Sequence, residues 1–257
     1  MNIVEKNIQL GSGKLTVMVK DSIDIQGIKT ISGSRALEDT TPAARNADMV
    51  EYILNADCTI TAQTLETSFS TASKFAWLNV QANSEVIECI QDYLSQANLQ
   101  VEQVEVETFK KAFDAGMQII NYENWQAYGE LTKTGLIGAD VQGRLLKTAE
   151  TTLEQVQQAE QVKAEFTQEI DALLNKFDAL LLPTLPQIPP KVADAENTVA
   201  FLNLTNLVRP FNLSGHPAIS IPLETKQGLP VGLQIVTKRN ADEQLCVIAK
   251  FVVKAAQ

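Results

Sequence analysis

A lysine that closes an apolar strand is the residue of this chain whose type and position could do chemistry. Lys20 ends the run Leu15-Thr-Val-Met-Val-Lys and is followed by Asp21, Ser22, Ile23 and Asp24. Lost hydration at the end of a buried strand lowers the pKa of an ammonium group. The neutral amine can then accept the proton of a serine hydroxyl. Taken by itself, Lys20 reads as a salt-bridged lysine, or as one whose stem lies along apolar surface. Asp21 and Asp24 flank a turn and read as local backbone acceptors rather than an acid–base couple. His216, the single histidine, lies in Leu213-Ser-Gly-His-Pro217. It reads as a loop histidine in a turn before a strand. A Ser–His couple would need a serine brought in by the tertiary fold, and Ser214 lies too close in the chain to be an obvious partner.

Other chemistries are struck out by composition. One histidine excludes HExxH and multi-histidine metal sites. Cys58, Cys89 and Cys246 are far apart and odd in number, so they give no disulfide framework and no CxxC site. No GxGxxG, GxxxxGK[ST] or GxSxG occurs. No cofactor and no metal are therefore expected. Lys and Arg number 21 against 31 Asp and Glu, a formal charge of −10, which argues against nucleic acid and anionic membrane as partners. The first residues lack the basic and apolar regions of a signal peptide, and no apolar run is long enough to span a bilayer. A cytoplasmic protein with reduced thiols is expected.

The elements that must position these residues follow from periodicity. Residues 15–20 and 58–62 read as strands, and 42–55 as a helix between them. Residues 63–74 form a polar stretch without periodicity. Residues 75–80, 84–97 and 101–106 read as strand, helix and strand, a β-α-β unit with parallel strands. Two helices follow, at 109–128 and 141–176, the second with apolar residues at steps of three and four from Leu145 to Leu173. Its Gln- and Glu-rich outer face reads as solvated surface. A buried strand at 178–183 stops at Pro183. Residues 203–211 read as helical up to Pro210. Strands at 218–222 and 232–236 flank a polar turn, and a helix at 242–254 closes the chain. The sum is an α/β fold, a layered mixed β-sheet flanked by helices.

Two blocks of this chain resemble the amidase-signature family. Val17-Met-Val-Lys-Asp-Ser-Ile-Asp-Ile-Gln-Gly-Ile-Lys-Thr-Ile-Ser-Gly-Ser-Arg-Ala-Leu37 is similar to that family's opening, a strand ending Lys-Asp-Asn followed by Gly, Thr and a Gly-Ser pair. Pro42-Ala-Ala-Arg-Asn-Ala-Asp-Met-Val resembles the next helix, and Cys58-Thr-Ile-Thr-Ala-Gln-Thr64 the next strand. Phe177-Asp-Ala-Leu-Leu-Leu-Pro-Thr resembles a late strand. Phe211-Asn-Leu-Ser-Gly-His-Pro-Ala-Ile-Ser-Ile-Pro222, with Gly228-Leu-Pro-Val-Gly-Leu-Gln234, resembles the C-terminal signature, and Asp242-Glu-Gln-Leu the final helix. The resemblance implies a single shortened amidase-signature domain over 1–257, related to hydrolases of carboxamide C–N bonds.

The middle departs from the family pattern. A Gly-Gly-Ser-Ser-Gly-Gly-Ser-type stretch and a Gly-Gly-Ser-Ile-Arg-type stretch, which supply the family's two serines and its oxyanion hole, are absent. The chain passes from Thr64 through residues 65–74 straight into Phe75-Ala-Trp-Leu. Of the Ser-Ser-Lys triad, the resemblance carries over only Lys20, as candidate general base. Ser68, Ser70 and Ser73 lie where the lost segment should begin and are candidate substitute nucleophiles, without a Gly-rich turn to hold them. Ser214 and Ser220 match family positions tied to packing and pocket shape. A base without nucleophile and oxyanion hole loses most of its rate enhancement, so a catalytically degenerate protein is expected. The alternatives are an active amidohydrolase rebuilt on Lys20 and a junction serine, and a binding or subunit-like protein. The expected partners are a small amide substrate or ligand, and a second copy or partner protein covering sheet edges exposed by the deletion.

Overall fold

The structure is a computed structural model that describes residues 25–29, 39–47, 73–191 and 203–255. The chain divides into two compact units, one of residues 1–66 with 124–150, the other of residues 67–123 with 151–257.

The larger unit is built on a five-stranded mixed sheet. Its strands are β1 (Lys74–Leu78), β2 (Gln100–Val104), β3 (Ala179–Pro183), β4 (Ala218–Glu224) and β5 (Pro230–Val236), in the order β2-β1-β3-β5-β4. β1 runs parallel to both β2 and β3, and β5 runs antiparallel to β3 and β4. The β-α-β expectation therefore holds, with α1 (Ser84–Gln96) as its crossover. The order also places a topological switch between β1 and β3, since the chain leaves β1 toward β2 and returns past it to β3. In such sheets ligands bind beyond the carboxyl ends of the strands at that point. Here the backbone N–H of Asn83, after β1, donates to the carbonyl of Pro186, after β3, at 2.7 Å.

Alternation along the strands sorts two apolar layers. Phe75, Trp77, Leu181, Leu233 and Ile235 face α1 and the closing helix α6 (Asp242–Ala255). Ala76, Leu78, Leu180, Leu182 and Val236 face the other way, onto α4 (Leu153–Leu174), α5 (Arg209–Ser214) and the start of α2 (Phe109–Tyr128). Phe109, Phe166 and Phe211 meet there with ring centroids 5.8–6.0 Å apart, distances that suit edge-on aromatic packing. β3 contributes to both layers and is buried along its whole length. Among the described residues, β4 is an edge strand. Its Ala218, Ser220, Pro222 and Glu224 are exposed, and Pro222 lacks the N–H that a further strand would need.

In the smaller unit, a 3-10 helix (Gly129–Lys133) precedes α3 (Ala139–Thr148). The Gln142 side chain donates to the Thr132 carbonyl at 3.1 Å and ties the two together. Residues 42–47 are loop and bends, not the helix start expected there. Their backbone is engaged sideways: Gly27 N–H donates to Ala43 O, Ala43 N–H to Ile28 O, and Gln26 N–H to Asn46 Oδ1. The strands expected at 15–20 and 58–62 lie outside the described residues.

Two further expectations are corrected. The single helix expected over 141–176 is two, α3 and α4. Thr152 caps α4: its hydroxyl accepts from Gln155 N–H, and the Gln155 side chain accepts from Thr152 N–H. This reciprocal box begins a new helix although the apolar spacing runs on. Pro210 does not end a helix either; it stands in the first turn of α5, where a missing N–H costs nothing. Thr152→Ala should lower the stability of the protein by about 1 kcal/mol, measured as a shift in urea midpoint with unchanged slope.

Candidate functional site

Lys20, Ser68 and Ser70 lie outside the described residues. Ser73 is half-buried and directly precedes β1, at the amino end of that strand. Five residues of strand span roughly 17 Å, so Ser73 stands a strand's length from the carboxyl ends of β1 and β3.

The polar residues that the fold does bring together are ones the sequence set apart. His216 Nδ1 lies 2.8 Å from Ser214 Oγ, and its Nε2 lies 3.1 Å from Asp171 Oδ1. Asp171 Oδ2 accepts from Arg239 Nη2 at 2.7 Å. With Asp171 ionised, Nε2 carries the proton and donates to it, which leaves Nδ1 to accept from the Ser214 hydroxyl. The nearness of Ser214 to His216 in sequence, which counted against the pair, is what makes it. Gly215 caps α5 in the left-handed region, at φ 73°, and turns the chain so that residues 214 and 216 face each other. Asp171 comes from α4, 45 residues away, and no local signal announces it.

Serine, histidine, carboxylate is the order of a hydrolase triad, but three features oppose that chemistry. Ser214 is 6% exposed and the His216 side chain is fully enclosed. The N–H groups of Gly215 and His216 both donate to the Phe211 carbonyl, so neither is free to stabilise an oxyanion. The open groove beside the relay is lined by residues that include Lys163, Thr167, Asp171 and Arg239, not by Ser214. The relay instead fastens the end of α5 and the start of β4 to α4 and to the β5–α6 connection. Burial pushes the His216 imidazole below its ordinary pKa; the hydrogen bond and charge of Asp171 raise it, and Arg239 lowers it further, leaving it net depressed.

A second polar group stands beyond the carboxyl end of β3. Thr184 Oγ1 and Ser220 Oγ are 2.6 Å apart, and Thr184 N–H donates to the Gly232 carbonyl at 2.7 Å. A Cβ at Gly232 would lie 2.6 Å from both hydroxyls, so only glycine admits the pair. Ser220 thus stands exposed on β4, held against Thr184. Among the described residues no group of three His, Cys, Asp or Glu could hold a metal ion, and no helix is long and apolar enough to cross a membrane.

The class defined by these features is a parallel β-α-β core extended by an antiparallel hairpin, with its polar groups on the hairpin and its connections. The amidase family model matches residues 75–246, and the chain belongs to the amidase-signature family. Over 96 residues it is 32% identical to the A subunit of the glutamyl-tRNA(Gln) amidotransferase of Thermotoga maritima, a match covering 37% of this chain and 20% of that one. The crystal structure of that Thermotoga maritima protein superposes with TM-score 0.56 and 24% identity, over 71% of this chain and 42% of that one. Allophanate hydrolase of Kluyveromyces lactis superposes with TM-score 0.62 and 17% identity, over 74% and 33%. The chain's matches span between about a fifth and a third of the length of the curated relatives. These likenesses carry the fold.

Because the folded imidazole holds its proton less well than the unfolded one, the His216 contribution to stability is complete above the unfolded value near 6.5. It is lost as pH falls from there through the depressed folded value. With a single histidine in the chain, urea midpoints measured from pH 7.5 to 5 should fall across that window. In His216→Gln the fall over the same window should vanish.

Proposed function

We propose that this amidase-signature protein no longer hydrolyses amides and acts by binding a small ligand or a partner. The observation that carries this is the short passage, residues 65–74, between the Cys58–Thr64 run and β1, in a chain where no two glycines are adjacent. That passage leaves no room for the Gly- and Ser-rich segments that hold the family's nucleophile, so the deletion near 65–74 removes the chemistry and leaves the single domain. Lys20 is the one triad position present. A lone general base gives little acceleration without an attacking hydroxyl and paired backbone donors. The position of Ser73 at the amino end of β1 supports the same reading, as does the enclosure of Ser214. The relatives named as one subunit of an amidotransferase support an assembly role for the retained fold.

Purified protein should show no turnover of acetamide, glutamine or p-nitroacetanilide above the buffer rate, and Lys20→Ala should behave identically. Turnover that disappears in Lys20→Ala would overturn the proposal and establish a rebuilt amidohydrolase.

A further inference from the structure

The groove beside the histidine relay has a volume of about 320 Å³. Along α4 it is lined by Glu160, Lys163, Ala164, Thr167 and Asp171, and from the β5–α6 connection by Arg239. The α4 positions are three and four apart, so they make one face of that helix. The volume lies at the small end of the roughly 300–1,000 Å³ of sites for small molecules. Leu180 pairs with Val236, so the end of β5, which leads into Arg239, stands beside the start of β3. The Arg239 end of the groove is therefore at the amino end of β3, away from the topological switch.

The charges in the groove balance. Lys163 pairs with Glu160 at 3.0 Å, and Arg239 with Asp171 at 2.7 Å. A ligand with a net charge would bring one that the groove does not compensate; a zwitterion would not. The two pairs are unequally spent. Both oxygens of Asp171 are engaged, one by His216 and one by Arg239. Among the described residues Glu160 meets Lys163 alone, and its side chain is 49% exposed. Glu160 is thus the carboxylate able to accept an ammonium group. Arg239 gives Asp171 a single N–H, from Nη2, and the rest of its planar fork matches a carboxylate. The positive end of a ligand belongs at Glu160 and the negative end at Arg239. Residues 160 and 171 are roughly 16 Å apart along the helix, a gap that the inward reach of the side chains shortens. Two or three extended peptide residues cover roughly 7–10 Å, and Ala164 places no bulky side chain on the floor between the two ends.

We propose that this groove binds an extended zwitterion of di- or tripeptide size, with its ammonium on Glu160 and its carboxylate on Arg239. The carboxylate takes the N–H groups of Arg239 that Asp171 leaves, and Nη2 stays on Asp171. The His216 side chain behind Asp171 is fully enclosed, so such a ligand acts on it only through Asp171. This inference rests on the binding reading above and gives that reading a site and a ligand class. No covalent step is involved.

The test is a heteronuclear NMR titration of the full chain with triglycine, read at the imidazole nitrogens of its single histidine, His216. Triglycine should shift those signals to saturation. N-acetyltriglycine and triglycine amide, each lacking one charged end, should bind about tenfold more weakly or worse. Glu160→Gln, an exposed substitution outside the core, should weaken triglycine by about tenfold and leave N-acetyltriglycine unchanged. Lys163→Met frees Glu160 and should tighten triglycine; weaker binding there would reverse the ligand and overturn the proposal. No shift of His216 at tens of millimolar triglycine (about the useful limit of such titrations), equal binding of the capped peptides, or affinity unchanged in Glu160→Gln also overturns it. Amide turnover dependent on Lys20 would instead sink the non-hydrolytic reading, and the two failures are read in different assays.

Discussion

β3 is the strand on which the larger unit depends. Each of Ala179, Leu180, Leu181, Leu182 and Pro183 is buried. The strand pairs in parallel with β1 and antiparallel with β5, so it joins two differently connected halves of one sheet. Its alternate residues fill both apolar layers, which is why a continuous apolar run, not an alternating one, is found there. Pro183 stands at the end of the strand, where a missing donor is tolerated. Beyond it, Thr184 N–H still donates to the Gly232 carbonyl, and the strand ends at the topological switch, the place where ligands enter sheets of this kind.

That constraint explains how a chain spanning part of its relatives keeps a definite core. The β-α-β unit and the antiparallel hairpin each bury one side of β3, and each is covered by its own helices. The layers close around Phe166 and Phe211 on one face and around Ile90 and Ile248 on the other, all at most 1% exposed. β4 bears Pro222 on its outer edge, a built-in obstacle to strand addition.

Much of this was legible in the sequence because apolar periodicity reports burial directly. The strands at β1, β3 and β5 and the helices α1, α2 and α6 follow from it. What it missed are local polar events within an unbroken apolar pattern. Thr152 and Gln155 start a new helix by hydrogen bonding alone, a box that was visible in the letters but outweighed by the spacing. Pro210 was read as a stop when it stands in a first turn. The site was less legible. His216 was recognised, yet its partner Asp171 arrives from a distant helix, and Ser214 was discounted for its closeness. Lys20, Ser68 and Ser70 carry a family expectation and fall outside the described residues, whereas Ser73 is described, at the amino end of β1.

One arrangement carries the residue types of a hydrolase triad without the setting such a triad needs. The Ser214–His216–Asp171–Arg239 chain is enclosed and has its neighbouring N–H groups spent, which makes it a fastening. The central claim is that no serine in this chain is an activated nucleophile. Intact-mass analysis after exposure to a serine-directed fluorophosphonate tests it most directly. The account predicts an unmodified mass; a single stoichiometric adduct, mapped to Ser68, Ser70, Ser73 or Ser214, would contradict it.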